Sequence, residues 1–287
     1  MELGAILTAM VTPFDAQGRV DEEAASALMH HLIEHGSDGL VICGTTGEAA
    51  TLTDDEQISL IKLAVEELRG RASVVAGTGS NDTRHAVELT ERAVEAGVDA
   101  VLSVTPYYNK PNRRGLVAHF TEVARAAGGT PVILYNIPSR TALDMPNDLL
   151  AELAQIDGIE GVKQANNDNV ALIEGLDLYA GNDDLLARVL DMGGAGGICV
   201  ASHVVGEQMR RMVEEPAERH AIDESLRDVY RTMFITASPA PVKAALNLLG
   251  HRAGGLRLPL VEVDDTELAE IRAMLERHGL LTTQPTA

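Results

Sequence analysis

The chain has 287 residues, with 43 acidic against 23 basic side chains and a formal net charge of −20. A composition of 45 % hydrophobic and 23 % charged residues excludes a disordered chain or a fibre, and the strong negative charge makes nucleic acid and anionic membrane surfaces poor partners. Two cysteines, Cys43 and Cys199, exclude a disulfide framework; no stretch approaches the ~20 apolar residues of a membrane span, and the first residues lack the positive region of a signal peptide, so the expected location is the cytoplasm.

Along the chain, short apolar runs rich in β-branched residues alternate with stretches of helical spacing. Ala5–Val11 reads as a strand. Asp21–Glu34 follows as a helix with Ala25, Leu28, Met29, Leu32 and Ile33 on one face. The strand Gly39–Cys43 precedes the helix Thr53–Leu68, where Thr53 is the expected N-cap and Asp54, Asp55 and Glu56 place acids in the first turn. The strand Ser73–Ala76 precedes the helix Thr83–Ala96, closed by Gly97. Then come Ala100–Val104 with Arg114–Ala127, Val132–Tyr135 with Pro146–Ala154, Gly161–Lys163 with Asp168–Glu174, Leu178–Ala180 with Asp183–Met192, and finally Gly197–Val200. The runs are almost continuously apolar, as strands buried on both faces must be, and strand–helix alternation predicts parallel pairing. Eight such units suit a closed (β/α)8 barrel, a TIM barrel, over residues 1–205. From 206 to 287 the pattern is helical only, at Glu207–Val213, Glu218–Ile235, Pro241–Leu249 and Thr266–His278, which reads as a helical C-terminal extension packed on the barrel.

In such a barrel the chemistry lies at the carboxyl ends of the strands, and the reactive residues fall there. Gly44-Thr45-Thr46-Gly47-Glu48 follows the second strand, Thr105-Pro106-Tyr107-Tyr108-Asn109-Lys110-Pro111 the fourth, and Tyr135-Asn136-Ile137-Pro138-Ser139-Arg140 the fifth; Lys163 ends the sixth. The chain has only four lysines, Lys62, Lys110, Lys163 and Lys243. A lysine is ordinarily a solvated surface residue, but Lys163 ends the apolar stretch Ile159–Val162. Burial there favours the neutral amine, a nucleophile, and a nearby phenol can shuttle protons. Each piece has a plainer reading, as an ordinary turn with threonine caps, a tyrosine packing corner or a surface arginine; their joint placement at four strand ends favours a catalytic site.

Other patterns carry less. His31-Leu32-Ile33-Glu34-His35 fits a zinc-binding H-x-x-E-H spacing, but its helix end falls on the barrel's stability face, where a solvated terminus is the better reading. Gly193-Gly194-Ala195-Gly196-Gly197 lies between a helix and a strand, the reverse of a dinucleotide-binding turn. Cys43 and Cys199 lack metal-ligand spacing and read as small core residues. Ser202-His203 lacks the glycines of a nucleophile elbow.

Taken together, Gly44-Thr45-Thr46-Gly47-Glu48, Pro106-Tyr107-Tyr108-Asn109-Lys110-Pro111, Tyr135-Asn136-Ile137-Pro138-Ser139-Arg140-Thr141 and Gly161-Val162-Lys163 resemble the dihydrodipicolinate synthase family, within the N-acetylneuraminate lyase superfamily of class I aldolases. The resemblance runs from Ala9-Met10-Val11-Thr12-Pro13-Phe14 to Gly255-Leu256-Arg257-Leu258-Pro259-Leu260. It implies a lyase that condenses pyruvate with aspartate semialdehyde through a Schiff base on Lys163. Tyr135 is then the acid and base at the imine, with Thr45 and Tyr108 relaying protons to solvent. Thr46 holds the pyruvate carboxylate, Arg140 holds the carboxylate of the aldehyde, and Gly181 and Ile198 line the pocket with backbone. The resemblance also implies a homo-oligomer, dimer or tetramer, in which Tyr108 reaches a neighbour's site, and no metal or organic cofactor, since the imine itself is the electron sink. Departures from the family pattern are Ala49 after the Gly-Thr-Thr-Gly-Glu motif, His85 where many members carry glutamate, and Gln164-Ala165-Asn166 after the lysine. The first two touch the family's lysine-inhibition pocket beside Tyr107 and Asn81. The alternatives are an aldolase or dehydratase acting on a sugar acid or another aldehyde, and a catalytically silent pyruvate-binding regulator.

Overall fold

In the computed structural model, which describes residues 2–281, eight parallel strands close into a barrel in chain order. They are β1 (Ile6–Ala9), β2 (Gly39–Ile42), β3 (Ser73–Gly77), β4 (Ala100–Val104), β5 (Val132–Asn136), β6 (Ile159–Gln164), β7 (Asp177–Ala180) and β8 (Gly196–Cys199). The TIM barrel expected from the apolar runs is the fold. Side chains that point inward, among them Leu7, Val41, Val75, Leu102, Ile133, Tyr179 and Ile198, fill the barrel as one apolar cluster. Those that point outward pack against the surrounding helices as a second, larger one.

The barrel closes where β8 meets β1. Ile6 lies opposite Gly197, and Gly197 N donates to Ala5 O at 2.8 Å. At Gly196, with φ +150°, a Cβ would lie 1.9 Å from Ala5 O, so only glycine lets the last strand approach the first. That contact accounts for the glycine-rich run. Below the seam, Asp38 accepts from Ala5 N and Ile6 N at 2.8 and 2.9 Å and pairs with Arg210.

The barrel helices are α1 (Glu22–Glu34), α2 (Asp54–Leu68), α3 (Thr83–Ala96), α4 (Arg113–Ala127), the single turn α5 (Pro138–Thr141), α6 (Asn147–Leu153), α7 (Leu186–Asp191) and α8 (Ser202–Glu214). Thr53 caps α2 in a reciprocal capping box with Glu56, and Gly97 ends α3 in the left-handed conformation. The helix expected over Asp168–Glu174 does not form. Its place is taken by a 3-10 turn, Asn167–Asn169, and an isolated bridge between Ile173 and Leu176. Asn166 caps that turn, accepting from Asp168 N at 3.2 Å, but Gln164 Nε2 takes the Asn169 carbonyl at 3.3 Å and Asn169 is tied to Met145 O at 3.0 Å, which stops the turn from propagating.

The extension contains α9 (Arg219–Ser225), α10 (Arg227–Thr232), α11 (Ala240–Leu248) and α12 (Asp265–Arg277); residues 282–287 of the expected extension lie outside the described residues. The single helix expected over Glu218–Ile235 is two, broken at Leu226 (φ −100°, ψ 0°), where Ser225 Oγ donates back to Ile222 O at 2.7 Å. The expected division at residue 205 falls inside α8. Val205 there leaves the helical conformation, and Gly206 lets the kinked helix approach the end of α1, since a Cβ would lie 2.4 Å from His35 O.

His203, at the start of α8, ties these layers together. Its Nδ1 donates to Val200 O at 2.8 Å and its Nε2 accepts from Val11 N at 3.2 Å, a pair of bonds only the neutral ring can make. Burial, reinforced by the imidazoles of His31 and His251, holds its pKa down at about 4, against the pull of the Val200 carbonyl. Burial does the same for His119. Between the unfolded histidine pKa of roughly 6.5 and 4, the unfolded chain binds more protons, so stability falls as pH falls through that interval. The melting temperature is expected to drop from pH 6.5 to pH 4 in a calorimetric series. His203→Gln, whose amide makes both bonds without titrating, should show a shallower drop; an unchanged slope would remove His203 from the explanation.

Candidate active site

The alternation of β5 and β6 decides which side chains face the barrel mouth. Tyr135 and Lys163 are register partners and both point inward. Their successors, Asn136 and Gln164, point outward into a buried amide network. Asn136 Nδ2 donates to Gln164 Oε1 at 3.0 Å and to Asp144 Oδ1 at 2.8 Å, and Asn136 Oδ1 accepts from Met145 N at 3.0 Å. Gln164 also accepts from Asn166 N at 2.9 Å. Gln164, Ala165 and Asn166 thus fasten the end of β6 from behind. Thr105, after β4, donates through both N and Oγ1 to Tyr135 O at 3.0 Å.

Lys163 is buried, with 5 % of its surface exposed, and its Nζ lies 4.3 Å from the centre of the Tyr135 ring. Among the described residues its amine has no hydrogen-bond or ion-pair partner. It opens into a cavity of about 480 Å³ at the carboxyl ends of the strands, together with Thr45, Thr46, Tyr135 and Arg140. Arg140 sits on α5 at the mouth, exposed, and Ile137 O accepts from its backbone N–H at 3.0 Å. Thr46 is buried and Thr45 is exposed. Behind Lys163, Asp183 is buried and accepts from Val200 N at 2.8 Å and Ala201 N at 3.1 Å. Desolvation pushes its pKa up, against those backbone bonds, the Cys199 thiol and the charge of Lys163.

Three expected site residues lie apart from this cavity within the chain. Ile198 is buried inside the barrel. Gly181 packs against the end of β6, its N–H donating to Gln164 O at 2.8 Å. Tyr108 is 90 % exposed, on a left-handed backbone at φ 72°. No hydrogen bond joins the Tyr135, Thr45 and Tyr108 hydroxyls among the described residues. His85, by contrast, lines a lobe of the cavity with Ala49 and Asp54; its Nε2 lies 3.0 Å from Asp54 Oδ1 and its Nδ1 3.1 Å from Ser80 Oγ. The expected solvated helix end holds for His35, which is exposed, while His31 is partly buried in a cluster of tilted imidazoles. His31 lies between His35 and His251, with centroids 4.1 and 4.2 Å away; burial, then the charges of the two neighbouring rings, holds its pKa at about 4.

One contact of the site's wall has no place in the strand-end reading. Glu48, in the turn that carries Thr45 and Thr46, forms a fully buried ion pair with Lys243 of α11, at 2.7 Å. The pair is 195 residues apart in sequence, beyond the reach of any local pattern.

Fold and cavity define a (β/α)8-barrel enzyme with a buried amine, unpartnered among the described residues, at the carboxyl ends of its strands. The chain belongs to the dihydrodipicolinate synthetase family, whose model matches residues 2–278. It is 44 % identical to the 4-hydroxy-tetrahydrodipicolinate synthase of Heliobacterium modesticaldum, over 98 % of this chain and 97 % of that one. A DHDPS of Cyanidioschyzon merolae, solved with lysine bound, superposes with a TM-score of 0.92 at 38 % identity, covering 97 % of this chain and 99 % of the other. The chloride-inhibited dihydrodipicolinate synthase of Acinetobacter baumannii, complexed with pyruvate, superposes at 0.93 with 33 % identity, covering 97 % of this chain and 100 % of the other.

Gly181 offers a check on the backing of β6. A Cβ there would lie 2.8 Å from Ala165 Cβ and 2.9 Å from Ala165 N. Gly181→Ala is expected to cost about 1–3 kcal/mol by overpacking, read as a lower denaturant midpoint; an unchanged midpoint would mean the end of β6 yields freely.

Proposed function

We propose that this chain catalyses the condensation of pyruvate with aspartate semialdehyde to 4-hydroxy-tetrahydrodipicolinate, in lysine and diaminopimelate biosynthesis. The observation that carries the reading is the buried amine of Lys163 beside Tyr135, unpartnered among the described residues and opening into a strand-end cavity in a chain of this family. Lys163 adds to the ketone carbon of pyruvate and water leaves, giving a protonated imine. Loss of a methyl proton forms the enamine, with the imine as electron sink. The enamine carbon attacks the aldehyde, and the substrate's own amine then displaces Lys163 as the ring closes. No external cofactor is required.

Tyr135 takes the acid–base role at the imine, with Thr45 and Tyr108 passing protons onward. Thr46 holds the carboxylate of pyruvate. Arg140, whose guanidinium has no side-chain partner among the described residues, holds the carboxylate of the semialdehyde in bidentate fashion. Gly181 and Ile198, which the resemblance gives as pocket lining, stand outside the cavity and take no contact role in this reading. The exposure of Tyr108 in this single chain supports a homo-oligomer, dimer or tetramer, in which the side chain serves a neighbour's site. Among the described residues no helix is long and apolar enough to cross a membrane, and a cytoplasmic location follows from the biosynthetic role.

Borohydride reduction in the presence of pyruvate is expected to add one pyruvate-derived mass to the peptide containing Lys163. Undiminished labelling of Lys163→Ala would overturn the assignment. Arg140→Ala should raise the Michaelis constant for the semialdehyde and lower turnover, because a displaced aldehyde harms the bond-forming step as well, while imine formation with pyruvate survives. A sugar-derived aldehyde that won on kcat/KM in the wild-type protein would give the site to an aldolase instead.

Weak inhibition by L-lysine is a separate expectation. In the family's lysine-inhibition pocket a glutamate at position 85 would bind the effector's ammonium; here His85 is engaged with Asp54 and Ser80. Loss of a charge-assisted bond is worth roughly 1.5–3 kcal/mol, about ten- to a hundredfold in affinity. Sub-millimolar inhibition in a coupled assay would contradict this.

A further inference from the structure

Glu48 occupies the last position of the turn that follows β2, at φ 56°, ψ 34°, a left-handed conformation that side-chain-bearing residues adopt only when their surroundings hold them there. Three bonds within the neighbourhood shape the turn: Glu48 N–H to Thr45 O at 3.1 Å, Ala49 N–H to Gly44 O at 3.3 Å and Thr12 Oγ1 to Gly47 O at 2.6 Å. The Glu48 carboxylate is then consumed entirely by the C-terminal extension. Its Oε1 accepts from Lys243 Nζ at 2.7 Å, and its Oε2 accepts from Arg257 N at 3.1 Å. Lys243 is 1 % exposed. It donates also to Gly255 O at 2.6 Å and lies 4.1 Å above the Phe14 ring.

We propose that Glu48 and Lys243 are positioning residues for pyruvate: their buried ion pair holds the Gly44–Glu48 turn so that Thr46 receives the substrate carboxylate and Thr45 stands in line with Tyr135. This inference rests on the imine reading of Lys163. Two features argue for a role in the site beyond stability. The pair anchors the residue adjoining the carboxylate-binding segment, in the wall of the cavity itself. Lys243 also neutralises a carboxylate that would otherwise face a cavity receiving anions. Arg140 stands on a different loop, so the two substrates are held by separate supports, and disturbing one leaves the other in place.

The test compares wild type with Lys243→Met and with Glu48→Gln/Lys243→Met, in steady-state kinetics and in the rate of borohydride trapping with pyruvate. In Lys243→Met the Michaelis constant for pyruvate is expected to rise roughly tenfold or more, with slower trapping and lower kcat, while that for the semialdehyde stays within twofold. The double variant leaves no buried charge unpaired and should recover thermal stability, yet keep the selective pyruvate defect; it decides the matter if the single variant does not fold. A pyruvate Michaelis constant and trapping rate within twofold of wild type in a folded variant would overturn the proposal, as would an equal rise for both substrates. Failure of the wild-type protein to trap pyruvate would instead overturn the reading of Lys163 on which it rests.

Discussion

A parallel sheet closed on itself buries every strand on both faces, and all else in this molecule follows from that constraint. Inside the barrel there is room for Leu7, Val41, Ile133 and Tyr179, and the outer face lies under helices, where a polar side chain such as Thr8 is sealed against Ser37 and Ser202, so the strands open to a cavity at the rim where they end. At that rim the two-residue period decides direction. Tyr135 and Lys163 turn inward in register, while Asn136 and Gln164 turn outward and knit the two strand ends together. The inward pair and its scaffold are neighbours in sequence because on each strand they occupy opposite faces.

The barrel was legible in the chain because its strands need nothing from afar to be recognised: uniform apolar runs such as Val132–Tyr135 and Ala100–Val104 are their own signal. Lys163, Tyr135, Thr46 and Arg140 were legible for a related reason, as polar or reactive residues placed directly after such runs. What stayed hidden depended on partners. Helical spacing over Asp168–Glu174 lost to bonds with other segments: Gln164 takes the Asn169 carbonyl that a helix would use, and Asn169 itself is tied to Met145 O. The break at Leu226 turns on one serine hydroxyl. Glu48 looked like the end of an ordinary turn, and Lys243 like part of an amphipathic helix, since each finds its meaning only in the other. The only local trace was Lys243's place in a buried helical stretch, where an ammonium has no reason to be without an anion.

The extension beyond α8 is therefore more than a cover. Through Lys243, Gly255 and Arg257 it reaches across to the turn after β2, and Arg257 continues to Glu56 of the next helix and to the carbonyl of Thr51. Glu56 in turn closes the capping box of α2, and its pKa is held down at about 2, chiefly by its hydrogen bonds with Arg257 and despite partial burial. One short segment of the extension thus reaches both the turn that carries Thr45 and Thr46 and the first turn of the helix behind it.

The separation of Glu48 from Lys243 also sets an order on the making of the molecule. A ribosome releases the second strand early and α11 near the end, so a nascent chain that has already exposed all eight strands still carries a carboxylate with no counter-ion in the wall of its future cavity. The eight strands of the barrel end at Cys199, whereas the counter-ion of Glu48 comes from the last quarter of the polypeptide. A chain ended before α11 would carry all eight strands and lack the counter-ion of Glu48.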